Sequence, residues 1–399
     1  MIVSTTTDGS SRLPWAHLSL VLACGLALSG CSTVRGLFDG KDDEPNEPAS
    51  LVDITPSAQV TRLWSVKAGG GEGRLGVRQG PVVLDGRVYA SAIEGGVRAF
   101  DLQSGQSAWT FQSDAQLSGG PGAGDGLIVV GGLEGEVIAL DAATGTQKWT
   151  AKVTNEVIAA PVIGQGLVFV RSNDGRITAL DAATGERRWF FNRDVPNLTV
   201  RGNDAPTLGP GYLFVGNDDG TVVALAAADG KPLWEQAVGR GEGRSELERM
   251  SDVDGSPVLQ EATLYASSFK GQTLAIDAPS GRPMWSSDFG GANRVGVGSD
   301  RVVVSDATGN VHALDKASGA SYWQQAGLAR RGLTAAAVQG EYAVVGDFDG
   351  YVHWLKLSDG AFAARQRVGG DALRAAPIVA DGVLLVQSTD GALTAFRIE

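Results

Sequence analysis

The sequence predicts an all-β fold, an eight-bladed β-propeller of four-stranded antiparallel blades, and three observations carry that prediction. A unit of about forty residues recurs eight times, two glycines and a tryptophan stand at fixed offsets within it, and the two ends of the chain each hold part of one unit. The most literal copies are "ALDAATG" at residues 139–145 and again at 179–185, each followed four residues later by a tryptophan, Trp149 and Trp189. A stretch written twice at that distance reads as a structural unit that stacks on a copy of itself.

The units open at Pro81, Pro121, Pro161, Pro206, Pro257, Val295, Ala336 and Pro377. Fourteen residues into every copy stands a glycine (Gly95 in the first, Gly391 in the last), usually after a polar residue, as a tight hairpin with positive φ requires. Seven copies carry a second glycine at offset twenty-four, from Gly105 to Gly360. Between these glycines lie runs of four to six residues rich in Val, Ile, Leu, Phe and Tyr, too short for helices and of β composition, so each copy reads as four short strands. At offset twenty-eight, in the fourth strand, stand Trp109, Trp149, Trp189, Trp234, Trp285 and Trp323, with Ala364 in the seventh copy. A large aromatic recurring once per unit reads as a packing wedge between neighbouring sheets.

An open β-solenoid would share this period, and the chain ends decide against it. The eighth copy stops at Glu399 with three strands, while "TRLWSVKAG" (residues 61–69) is an orphan fourth strand with its own Trp64. A ring closes when the first strand completes the last sheet, and closure removes two open edges. The predicted organisation is residues 1–30 as a lipoprotein signal peptide, 31–59 as a lipidated cysteine and flexible acidic tether, and 60–399 as the propeller.

The first segment rests on "HLSLVLACGLALSGC" (residues 17–31), an apolar stretch of signal-peptide length ending in Leu28, Ser29, Gly30 and Cys31. That ending resembles the lipobox of bacterial lipoproteins. The resemblance implies lipidation at Cys31, loss of Cys24 with the signal, and no intrachain disulfide in the mature protein. Ser32 after the cysteine favours the outer membrane. Several acyl chains on one residue give a stable anchor at roughly 0.8 kcal/mol per buried methylene. The net charge of −12 argues against nucleic acid and against an electrostatic grip on anionic lipid.

Chemistry is hard to find in the sequence. His312 and His353 stand seventeen residues into adjacent copies and read as strand-face side chains, since no cysteine or carboxylate cluster completes a metal set at ligand spacing. No nucleophile elbow, P-loop or Gly-rich strand-to-helix turn is present. The expectation is a non-enzymatic protein with no cofactor, no metal and no catalytic residue. The "ALDAATGxxxW" form also resembles the blades of pyrroloquinoline-quinone (PQQ) dehydrogenases. That likeness implies an alternative, a PQQ enzyme or a propeller that binds small ligands in its central channel. Those enzymes use adjacent disulfide-bonded cysteines, which this chain lacks, and a channel ligand would need convergent polar groups where the blade starts offer apolar and small residues.

The repeat breaks in one place. Most starts are 38 to 41 residues apart, but Pro161 to Pro206 is 45 and Pro206 to Pro257 is 51. The extra length falls in two consecutive linkers, "FNRDVPNLTVRGNDAP" (residues 191–206) and "EQAVGRGEGRSELERMSDVDGSP" (residues 235–257), each joining the outer strand of one blade to the inner strand of the next. All such linkers leave on one face, so these two are expected to be neighbours, and binding residues concentrate on loops of rigid scaffolds. Leu198 and Val200 are apolar in a polar loop, Arg201 follows, and Asp252 and Asp254 flank Val253. An ion pair from Arg201 to Asp252 or Asp254 would staple the loops, which does not exclude a partner site.

The lipobox, the acidic tether, the eight PQQ-like blades and the segments "LTVRGNDAP" and "LERMSDVDGSP" together resemble the BamB family, outer-membrane lipoproteins of the β-barrel assembly machinery. The resemblance implies that Leu198, Val200 and Arg201, matching the family's Leu-x-Leu-Arg element with Val for the second Leu, engage the periplasmic POTRA domains of the barrel subunit BamA. Asp252 and Asp254 match its Asp-Val-Asp element. It implies a scaffold, anchored through Cys31 and facing the periplasm, that aids delivery and insertion of unfolded outer-membrane protein clients.

Overall fold

Eight four-stranded antiparallel sheets make up the computed structural model, and seven of them take their strands consecutively from the chain. The structure describes residues 47–73, 75–193, 204–239, 252–269 and 271–399. Its strands, numbered β1 to β32 in chain order, include no helix among the described residues.

The duplicated heptapeptide is the end of a third strand and the turn into the fourth. Its aspartate, Asp141, accepts hydrogen bonds from the backbone N–H groups of Ala143 (3.1 Å) and Thr144 (3.0 Å) and from Thr144 Oγ1 (2.9 Å). Gly145 then takes φ 73°, a left-handed conformation that glycine adopts without the Cβ penalty. Four residues later, Trp149 crosses to the next blade. Its indole Nε1 donates to Ala182 O at 2.9 Å, and its ring lies over Gly185, where an added Cβ would stand 2.6 Å from Trp149 Cε3. The same seat recurs from Trp64 on Gly105 to Trp323 on Gly360. Tryptophan and second glycine are thus the two halves of one contact between blades. Gly185→Val should therefore lower stability by about 3 kcal/mol or more, from positive φ and overpacking together, read from the urea midpoint. An unchanged midpoint would remove the seat from the account.

The eighth sheet has the order β1 (Val60–Lys67), β32 (Ala392–Ile398), β31 (Val383–Gln387), β30 (Ile378–Ala380). The N-terminal strand completes the last blade, pairing from Val60 opposite Ile398 to Lys67 opposite Ala392. This also accounts for Ala364. The seat for a tryptophan is the turn between third and fourth strands of the following blade, and the eighth blade has no such turn because its fourth strand arrives from the other end of the chain.

Part of the segment read as a tether is fastened to the seventh blade and to the linker that leads into it. Ala49 N–H donates to Ala329 O (2.9 Å), Ser57 N–H to Ala363 O (2.9 Å), and Leu51 packs against the buried cluster that includes Trp323, Leu328 and Leu357. Two arginines hold the carbonyls of this strap, Arg331 Nη1 on Ala49 O at 3.1 Å and Arg365 Nη1 on Val52 O at 2.9 Å. Behind them His353 is fully buried, with Nε2 3.0 Å from Asp347 Oδ2 and Nδ1 accepting from Arg365 Nε at 3.1 Å. That pattern fixes a neutral imidazole with its proton on Nε2, and burial lowers the pKa of His353 despite Asp347. His312 is paired likewise with Asp306 of its own blade at 2.9 Å. Among the described residues no group of three or more His, Cys, Asp or Glu could hold a metal ion.

Candidate functional site

The linkers that join successive blades end at the central channel, and the two long ones meet there. Asp204, near the end of the first, donates its N–H to Asp254 O (3.1 Å), and its carboxylate accepts from Ser256 N–H (3.1 Å) and Ala205 N–H (2.9 Å). Leu198, Val200 and Arg201 lie outside the described residues, as does Cys31.

The Asp-Val-Asp element is described, and it is interior. Asp252 and Asp254 are 0% exposed and Val253 1%. Val253 enters the core between the fourth and fifth blades with Phe214, Leu264 and Ala266, and its N–H donates to Asn217 O at 3.1 Å. Asp252 O accepts from Phe269 N–H at 2.9 Å. The close approach that follows needs Gly255, where an added Cβ would stand 2.3 Å from Arg294 N. The linker thus turns into the wall before it reaches its inner strand, carrying both carboxyl groups with it.

A third carboxylate and one cation complete the cluster. Arg171, at the end of a second strand, is 4% exposed, with Nη2 3.5 Å from Asp218 Oδ1 and Nη1 donating to Asp204 O at 3.4 Å. Burial lowers the pKa of Arg171, opposed by Asp218, Asp254 and Asp204. Burial likewise raises Asp218, opposed by Arg171 and reinforced by Asp252. Asp254 is pushed up to about 8 by burial and then by Asp252 and Asp218. Neither of its carboxyl oxygens has a hydrogen-bond partner among the described residues. A fully buried acid without a partner is costly and calls for an explanation.

Sequence reasoning missed Arg171 and Asp218. A signal for Arg171 was present: the equivalent position in the other copies is Ser91, Gly131, Gly216, Ser267, Ser305, Gly346 or Gln387, so a charge there breaks the repeat. It also missed the walls of the channel. A cavity of about 210 Å³ is lined by small residues from most blades and by Arg78, Asp204, Asn293, Arg294 and Arg374. Convergent polar groups are therefore present where the blade starts gave only apolar and small residues.

The family model described as outer membrane protein assembly factor BamB matches residues 93–325 and 307–399. The outer membrane protein assembly factor BamB of Xanthomonas campestris pv. campestris is 59% identical over 397 residues, covering 96% of this chain and 98% of that one. Among solved structures, BamB from Moraxella catarrhalis superposes with a TM-score of 0.77 at 30% identity, covering 85% of this chain and 100% of that one. A quinohemoprotein alcohol dehydrogenase from Comamonas testosteroni reaches a TM-score of 0.67 at 16% identity over 87% of this chain and 78% of that one, a likeness of fold alone.

Proposed function

We propose, from the premise that this chain belongs to the BamB family of outer membrane protein assembly factors, that its two long linkers form the docking face for the assembly machinery's barrel subunit. The partner is the set of periplasmic POTRA domains of BamA. The docked propeller is a non-enzymatic scaffold that helps deliver unfolded outer-membrane proteins for insertion. Cys31 carries the lipid anchor, and the protein faces the periplasm from the outer membrane. Membership of this family favours an assembly role over the dehydrogenase alternative, whose support is a low-identity likeness of fold.

The observation that carries the docking face is the fully buried Asp254, whose two oxygens lack hydrogen-bond partners among the described residues. A stability cost of this kind, held at the junction of the only two lengthened linkers, fits a site shaped for a partner. On this account Asp252 and Asp254 act from beneath, fixing the linker ends and setting the local field, while Leu198, Val200 and Arg201 supply the direct contacts.

The test is co-purification of the tagged, lipidated protein from detergent-solubilised membranes beside its Arg201→Glu variant, with partners identified by mass. Reversing one charge at the centre of an interface should reduce recovery of the barrel subunit by about tenfold or more, with far-ultraviolet circular dichroism unchanged. Equal recovery with the variant, or none with the parent protein, would overturn the assignment of this face.

A further inference from the structure

We propose that the mouth of the central channel is an oxyanion site, formed by Arg78, Arg294 and Arg374 and suited to a carboxylate or a phosphate group. Position by position, the residue just before each blade start is Gly80, Gly120, Ala160, Ala205, Ser256, Ala335 and Ala376 in seven copies and Arg294 in one. Seven small residues leave the channel open, and the eighth sets an arginine in its lining.

Two of the three arginines are held by contacts around the cavity that all three line. Arg78 Nη1 reaches across to Asn293 Oδ1 at 3.3 Å, beside Arg294 in the chain. Asn293 is itself oriented, its amide Nδ2 donating to Leu333 O (3.1 Å) and Ser305 Oγ (3.3 Å), which leaves its oxygen for Arg78. Arg374 Nη1 is 3.0 Å from Glu72 Oε1, and Glu72 also feels the charge of Arg78. Arg294 makes no hydrogen bond or ion pair among the described residues, although all three arginines line the same 210 Å³ cavity.

The balance of charge at the mouth is positive. Arginine stays protonated at any working pH. Carboxyl groups nearby oppose it, among them Asp204 on the cavity wall, Glu72 against Arg374 and Asp254 within the field of Arg78. Asp204, whose oxygens accept from two backbone N–H groups, offsets one of the three cations. Burial raises Glu72 to about 7 and Asp254 to about 8, so at neutral pH much of their charge is withheld. In a chain of net charge −12 such a patch is a local departure rather than a general property. The guanidinium fork matches the paired oxygens of a carboxylate or phosphate. The cavity lies below the usual range for drug-sized ligands, so it fits one small oxyanion or one acidic side chain.

The experiment titrates the full chain with inorganic phosphate and, separately, with N-acetylglutamate amide, following thermal unfolding and heat of binding at constant ionic strength. Arg294→Ala is titrated in parallel. Because Arg294 makes no hydrogen bond or ion pair among the described residues, this variant should melt like the parent protein without ligand. Removing one charge-assisted contact should weaken binding by about tenfold, whereas general salt effects would act on both proteins alike. Saturable phosphate binding lost in Arg294→Ala supports the site and identifies a free anion as the occupant. Saturation by the carboxylate alone, lost in the same way, supports it with an acidic side chain as the occupant. Equal responses of the two proteins, or no saturable binding of either ligand, would overturn it.

Discussion

Asp254→Asn raises the unfolding midpoint by several degrees at about pH 8 and leaves it nearly unchanged at about pH 4. The sign follows from the direction of the shift. An aspartate in an unfolded chain ionises above its ordinary pKa of 3.8, while in the fold Asp254 holds its proton to about 8. Between those values the folded state binds more protons than the unfolded one, so stability falls as pH rises. Below both, the group costs nothing. The penalty at neutral pH is on the order of a few kcal/mol, and an amide, which cannot ionise, removes it. Thermal scans of both proteins across that range check the slope. A destabilised variant at pH 8 would mean that the carboxylate is bonded after all, and the stapling ion pair from Arg201 would then explain it. A stabilised variant that no longer recovers the barrel subunit would mark Asp254 as a residue kept for binding at the expense of stability.

Deleting residues 60–67 has the larger effect on the fold. It strips β32 of its partner along seven paired positions, empties the Trp64 seat on Gly105, and uncovers Leu385, Leu393 and Ala395 beneath. Removal of a buried tryptophan alone costs about 3 to 5 kcal/mol, and the lost ladder adds to it, so no cooperative unfolding transition should survive at ambient temperature. The exposed edge should also drive association. Calorimetry and size-exclusion chromatography read both. A deletion variant that melts like the parent protein would refute closure by the first strand.

The blades were legible because their signals are local and repeated. Glycine at offset fourteen and at twenty-four is demanded by positive φ, and tryptophan at twenty-eight by the glycine it covers. Even the exception, Ala364, is explained by the same rule, since its seat is the turn that the eighth blade does not have. The interior of Asp252 and Asp254 was not legible. A charged residue in a long polar linker reads as surface, and only the approach of Gly255 to Arg294 reveals that the chain has turned inward. The strap from Ala49 to Ser57 escaped for another reason: its partners are carbonyls and arginines of the seventh blade and the linker before it, and hydrogen bonding to backbone leaves no pattern in composition. Arg171 and Arg294 were visible in principle, each as the one charged residue in its aligned column.

Closure through β1 has a consequence for how the molecule is made. Val60 and Ile398 are separated by nearly the whole propeller along the chain, yet these two stand opposite each other in the finished sheet. Seven blades can form in turn from consecutive strands, each seating its tryptophan on the next, and Trp64 can seat on Gly105 of the first blade, but the edge of β1 stays unpaired until β32 reaches it. Contacts of such separation are the slowest to form. A chain without β32 therefore carries an unsealed seam and an unpaired strand edge at one place, the kind of surface that drives association.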